Sequence, residues 1–313
     1  AGLEELAAEV ALRSAQDEIA IWYLADEELR YWRPNEMAWL AAASETIRAN
    51  DPYERPIMMY EPNHRLPAGM SITSAHLDFV TRGAYANHVG LKDKRTWIRW
   101  AVTQAVDAAR ETGKTPVAVL WMAKDQTPED VALIDRWTRH DVYLSLVTGA
   151  RGIMIWSGSN RREGFQKQFR YFYDGYAAAA SELTGDLRLA DPFLFGEPQQ
   201  DINIVETSGP PEQSYTYLDK QYTSPSVSWS RLDMEDQRFL FLVNSNSAQV
   251  AIKIEGLPDG FTARDQLTGR RLDTGADLLM EPYAVHALVW EEKISSSAKP
   301  QRGKLRDCAN LNP

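Results

Sequence analysis

The sequence contains a single cysteine, Cys308, in 313 residues. One thiol excludes an intramolecular disulfide and a cysteine-based metal site. Basic residues are in deficit: 34 Lys and Arg stand against 44 Asp and Glu, for a net charge of −10. Binding nucleic-acid phosphates takes a basic footprint, so no nucleic-acid partner is expected. No apolar run is long enough for a membrane-crossing helix, and no membrane partner is expected. No basic and apolar leader opens the sequence, so a signal peptide is expected to be absent or already removed. No strand-to-helix junction carries GxGxxG or GxxxxGK[ST], which disfavours nucleotide binding. His64 and His88 lack metal-ligand spacing, so neither a catalytic metal nor another cofactor is expected. Many secreted bacterial enzymes also lack disulfides, and a secreted or periplasmic location is favoured over a cytoplasmic one.

What the sequence does have is a hydrophobic fraction of 44%, an ordinary globular composition, and a length of 313 residues, enough for one large domain plus a small one or for two medium domains. The stretch Ile19 to Glu28, IAIWYLADEE, is an apolar run ending in three acids. Continuous apolarity predicts a strand buried on both faces. Asp26, Glu27 and Glu28 then stand either as a catalytic group at a strand's C-terminal end or as an acidic cap on the next helix. Helices are predicted over residues 3–16, 34–50, 94–113, 127–149 and 169–185. Strands are predicted at 57–60, near 77–81, at 115–123 and at 151–158. Five strand–helix units in alternation mean a mostly parallel sheet with crossover helices. From about Asp191 the pattern changes to short alternating runs separated by turn residues, such as INIVET, QRFLFLVNS and HALVWEE. That pattern predicts an antiparallel β-sandwich over 191–294, with a polar tail at 295–313.

Taken in order, these segments carry a resemblance. The strand ending in DEE, the D-P-x-x-R-P turn, YLSLVTGARGIMIWS, the helix ending in ELTGDLRLADPFLFG and the following sandwich look like the C-terminal part of a (β/α)8-barrel glycoside hydrolase of the large retaining clan. Related enzymes carry W-x-x-x-[DN]-E-P on the fourth barrel strand, which stands here as Trp22 to Glu28. The implied fold class is an α/β TIM-type barrel followed by an antiparallel β-sandwich. Residues 1–190 would supply strands four to eight. A complete barrel takes about 250 residues, so the resemblance implies that the first three units lie outside this chain, upstream or on a second chain.

The resemblance also implies roles. Glu27 takes the place of the acid/base, and Asp26 that of a contact to a sugar hydroxyl. The clan's nucleophile ends strand seven, but here that strand ends Trp121-Met122-Ala123-Lys124, without a Glu. Glu61, ending the neighbouring strand, is the best substitute, because adjacent strand ends can place two carboxyl groups ~5 to 9.5 Å apart. Asp125 is a second candidate. Glu61 can equally be a turn residue paired with Arg65. Trp156 and Trp121 at strand ends would be sugar platforms, since an indole suits a pyranose face. Tyr85, Asn87 and His88 follow the sixth strand as further substrate contacts. Trp32, Trp39, Trp97, Trp100 and Trp137 are assigned to helices, in the core or at an interface. The expected function is cleavage of an oligo- or polysaccharide. The alternative is a non-catalytic carbohydrate-binding protein with a decayed hydrolase site.

Overall fold

The computed structural model describes residues 2–16, 19–24, 29–123, 127–156, 165–257, 262–273 and 275–291. The first half alternates as expected. Helix α1 (Leu3–Ser14) precedes β1 (Trp22–Leu24), α2 (Pro34–Asn50), β2 (Ile57–Met59), α3 (Pro67–Ser74), β3 (Phe79–Gly83) and α4 (Trp97–Thr112). Then come β4 (Thr115–Trp121), α5 (Pro128–Val131), α6 (Ile134–Thr148), β5 (Gly152–Trp156) and α7 (Phe165–Thr184). Helix starts and stops follow local chemistry. Pro34 and Pro67 open α2 and α3, where a missing N–H costs nothing. Gly113 and Gly149 end α4 and α6 in the left-handed conformation, with φ of 66° and 114°.

The five strands are parallel and follow chain order. β1 pairs with β2, β3 with β4, and β4 with β5. β2 and β3 are joined by Asp78 N–H to Ile57 O (2.9 Å) and Gly83 N–H to Glu61 O (3.1 Å). Side chains alternate across this sheet, as the period of two requires. Val80 packs outward on Met70, Ala105 and Ala108. Leu120, Ile153 and Ile155 pack in the core that also holds α6 and α7. Val119, Trp121, Met154 and Trp156 take the other face, with Tyr60 and Tyr85.

The opening strand differs from the expectation. β1 has three residues, and Ile21 and Tyr23 are 43% and 39% exposed. It is therefore not buried on both faces. Among the described residues, β1 and β5 each pair along one edge only. A strand with one neighbour leaves one flank uncovered, which accounts for the exposure. Trp22 ties β1 to the end of α2, donating from Nε1 to Asp51 Oδ2 (2.8 Å).

The second half is antiparallel. After α8 (Asp191–Phe195) come β6 (Glu197–Gln199), β7 (Asn203–Ser208), β8 (Glu212–Tyr217), β9 (Lys220–Pro225), β10 (Val227–Met234) and β11 (Gln237–Asn244). They are followed by β12 (Val250–Glu255), β13 (Thr262–Asp265), β14 (Arg271–Asp273), β15 (Leu278–Met280) and β16 (Val285–Glu291). A six-stranded sheet, in the order β14-β13-β16-β11-β10-β6, faces a three-stranded one, β15-β12-β7. Leu240, Leu242, Leu288 and Trp290 of the large sheet pack with Ile252 and Ile254 of the small one. The large sheet's other face, with Phe239, Phe241 and Val289, packs on the helices. Phe241 lies 4.2 Å from the Phe193 ring centroid. β11 is thus covered on both sides, which explains its continuous apolar run FLFLV. The β8–β9 hairpin packs Tyr217 against Trp97 and Trp100, with centroids 5.2 Å apart in each case.

Candidate active site at the strand ends

The C-terminal ends of the five parallel strands converge on one side of the sheet. The acid-bearing segment after β1, with Asp26 and Glu27, lies outside the described residues, as does Asp125 after β4. Downstream of β1 the strand ends form an aromatic wall. Tyr60, just past β2, stacks on Tyr85 (5.9 Å, 9°) and on Trp156 (6.0 Å, 21°). Tyr85 meets Trp121 at 5.8 Å. Trp121 and Trp156 are cross-strand partners in register, and Trp156 O accepts from Met122 N–H (2.8 Å). Both indoles are half-buried, so one part of each is packed and another reaches solvent. Gly83 at the end of β3 makes room for this wall: a Cβ there would overlap the Tyr60 hydroxyl.

His88 is exposed and set edge-on to both Trp121 (5.4 Å, 85°) and Tyr85 (6.3 Å, 89°). Asn87 is differently engaged. Its carboxamide oxygen accepts from Arg95 Nη1 (2.9 Å), and Arg95 in turn grips the buried Asp141. The two neighbours therefore divide the work of the loop after β3, with His88 on the aromatic wall and Asn87 on the loop's anchor.

Glu61 is not an open carboxylate. Tyr60 takes the wall face, so the next residue turns to the helix layer. There Glu61, 2% exposed, accepts from Arg65 Nη1 and from the Thr73 hydroxyl on α3. The pairing with Arg65 that the sequence allowed is the one present. Arg65 also donates from Nη2 to Leu29 O (2.5 Å). Burial outweighs these partners and pushes the Glu61 carboxyl up to about 7. Among the described residues, the aromatic wall contains no carboxylate.

Trp32 differs from its sequence assignment. It lies in the turn before α2 and is 63% exposed. Tyr31 meets it edge-on at 5.0 Å. With Arg30, Pro62, His64 and Arg65 the pair lines a groove of about 590 Å³ beside the end of β2. Of the tryptophans assigned to helices, Trp97 and Trp137 are fully buried, Trp100 is half-buried and Trp39 is 37% exposed.

A second constellation has the atom order of a nucleophile, base and carboxylate. Ser245 Oγ lies 2.9 Å from His140 Nε2, and His140 Nδ1 lies 2.9 Å from Asp141 Oδ1. All three residues are at most 2% exposed, so no substrate reaches them. This is an anchor between α6 and the end of β11. Among the described residues no group of three or more His, Cys, Asp or Glu is placed to hold a metal ion, and no helix is long and apolar enough to cross a membrane.

No family model matches the sequence, and no curated protein matches it. Solved structures do match the fold. An alpha-amylase from Geobacillus thermoleovorans, complexed with acarbose, matches with a TM-score of 0.54 and 10% identity, over 93% of this chain and 64% of that one. An Anoxybacillus alpha-amylase matches at 0.53 and 11%, over 93% and 63%. AmyP in complex with maltose matches at 0.52 and 10%, over 92% and 67%. The chain spans less than two thirds of the first two structures. The likeness is one of fold, and it agrees with the barrel glycoside hydrolase resemblance carried by the strand motif.

Proposed function

We propose that this chain is part of a glycoside hydrolase that cleaves an oligo- or polysaccharide at the strand-end face of a parallel barrel. The observation that carries the reading is the aromatic wall of Tyr60, Tyr85, Trp121 and Trp156 at the C-terminal ends of the parallel strands, the end at which β1, the strand before Glu27 in sequence, also stops. Pyranose rings pack on such faces, and barrel chemistry is done at that end. Structures of the same fold are complexed with acarbose and with maltose, which supports a carbohydrate ligand. In this reading Glu27 protonates the leaving oxygen, while Asp26 and His88 contact sugar hydroxyls. Asn87 positions the loop that carries His88.

The second carboxyl group comes from outside the described residues, with Asp125, just past β4 in sequence, as its candidate. Glu61, bonded to Arg65 and Thr73, acts as a positioning group for the end of β2. Strands β1 to β5 correspond to barrel strands four to eight, residues 191–294 form the appended domain, and the remaining units come from sequence outside these 313 residues or from a second chain. The single-sided pairing of β1 and β5 supports this arrangement. The absence of a second carboxylate from the described part of the wall favours one other reading, a carbohydrate-binding protein without turnover.

Glu27→Gln in the full-length protein separates the two. Removing a general acid lowers turnover by about 10²–10⁴-fold, with sugar binding retained. A wild type that binds glycans from a panel but hydrolyses none supports the binder and overturns the enzyme.

A further inference from the structure

Away from the strand ends, the large sheet has an opening. β6 pairs with β10 only at Arg231, Leu232 and Asp233. Beside Val227 to Ser230 no strand continues along that edge among the described residues, and a cleft of about 460 Å³ forms there. Its lining includes Arg99 from α4, Gln199, Gln200, Glu206, Trp229 and Ser230. None of these belongs to the aromatic wall.

Arg99 is the informative residue. It is half-buried and donates from Nη1 to Ser228 Oγ (2.8 Å). It forms no ion pair with any described carboxylate. Its neighbour in the cleft, Arg231, is instead paired with Asp201 (3.4 Å) and Asp233. Burial alone pulls the Arg99 guanidinium below its ordinary value. A partly desolvated cation without a counter-ion is costly, and an arriving anion relieves that cost. The guanidinium fork can take two oxygens at once, from a planar carboxylate or from a tetrahedral sulfate ester. Trp229, half-buried, packs on the sandwich core from the face of β10 opposite to Ser228 and lines the cleft at the sheet edge, where part of its indole can border a sugar ring; the amides of Gln199 and Gln200 can donate to or accept from hydroxyls. Glu206 is not in ion-pair contact with Arg99; its carboxylate can accept from a sugar hydroxyl, and its charge requires the acidic group of the ligand to sit at Arg99 and away from it.

We propose that this cleft binds an acidic monosaccharide unit, a uronate or a sulfated sugar, at a site separate from the aromatic wall. The assignment is independent of whether the strand ends catalyse anything, because it concerns binding alone. Titration calorimetry at pH 7 with D-glucuronate, galactose 4-sulfate, glucose and inorganic sulfate tests it. The acidic sugars bind saturably and more tightly than glucose or sulfate. Arg99→Gln weakens them at least about tenfold, the loss of one charge-assisted contact. Gln200→Glu, at an exposed position, does the same by placing a negative charge in the cleft and leaves folding intact. Unsaturable binding of both acidic sugars by the wild type overturns the proposal. So does unchanged affinity in both variants, or inorganic sulfate binding as tightly as the sugars.

Discussion

Glu61 and Asp141 are both 2% exposed and both paired with an arginine, yet their surroundings differ in kind. Glu61 meets one nitrogen of Arg65 and one hydroxyl, while the other end of Arg65 is spent on Leu29 O. Asp141 is gripped by two nitrogens of Arg95, Nε at 2.8 Å and Nη2, and receives a third bond from His140. A carboxylate only accepts, so His140 donates from Nδ1 to Asp141, and its Nε2 accepts from the Ser245 hydroxyl. The fork-shaped pair satisfies both carboxylate oxygens and fixes α6 to the loop after β3. The single-nitrogen pair leaves burial dominant, and the Glu61 carboxyl is driven up to about 7. The lesson is that equal burial does not mean equal bonding: the number and geometry of the donors differ between the two acids.

Removing each arginine probes that difference most severely. Arg95→Met strands Asp141 and His140 without a cation and is expected to cost about 3–5 kcal/mol. Arg65→Met is expected to cost less at pH 7, about 1–3 kcal/mol, because Glu61 escapes by taking a proton. Urea unfolding of both variants reads the two costs. Equal losses at pH 7 break the comparison.

Neither cluster was equally visible beforehand. The Glu61–Arg65 spacing of four is written in EPNHR, and the alternation rule places Glu61 opposite Tyr60 once β2 is located. Arg95 and Asp141 are 46 residues apart, and nothing in one sequence joins them. The strand–helix order was legible because apolar periodicity and glycine stops agree, as at Gly113 and Gly149. Helix α3 was not, because PAGMSITS has no apolar stripe and is held by Met70 and Thr73 packing inward. Strands β6, β9, β14 and β15 are short or polar and depend on their partners. At the strand ends, Trp121 and Trp156 are legible from strand-end position and Tyr85 from the family resemblance, whereas Tyr60 carries no motif and stands next to the more conspicuous Glu61. Trp32 stands two residues before the helix start that the sequence itself marks, so it belongs to the preceding turn and not to the helix. Pro34 marks where it begins.

A milder way to sharpen the comparison is to vary pH. The Glu61 pKa in the folded protein lies above its unfolded value of 4.5, so its contribution to stability is fully present below pH 4.5. It is lost as pH rises towards 7, by on the order of 3 kcal/mol for this shift. Glu61→Gln cannot titrate. The stability difference between wild type and variant should therefore change by about 3 kcal/mol between pH 4.5 and pH 8. Chemical denaturation across that range measures it. A constant difference shows that Glu61 keeps its charge throughout and that Arg65 and Thr73 outweigh its burial.

His140 should slope the other way. Burial is the main cause holding its pKa below 6.5, against the opposing pull of Asp141. A depressed histidine contributes stability that is present above pH 6.5 and lost as pH falls through its folded pKa, because the unfolded chain takes the proton first. His140→Gln removes that acid-side loss and sacrifices part of the bonding to Asp141 and Ser245, about 1–2 kcal/mol at pH 7.5. Below pH 6.5 the gap between variant and wild type then narrows, the reverse of the low-pH advantage that Glu61 gives the wild type. NMR titration of the His140 ring protons provides the direct check. A ring that titrates at or above the ordinary value assigns the Asp141 cluster a charged histidine, and Arg95 is then not the only cation holding that carboxylate.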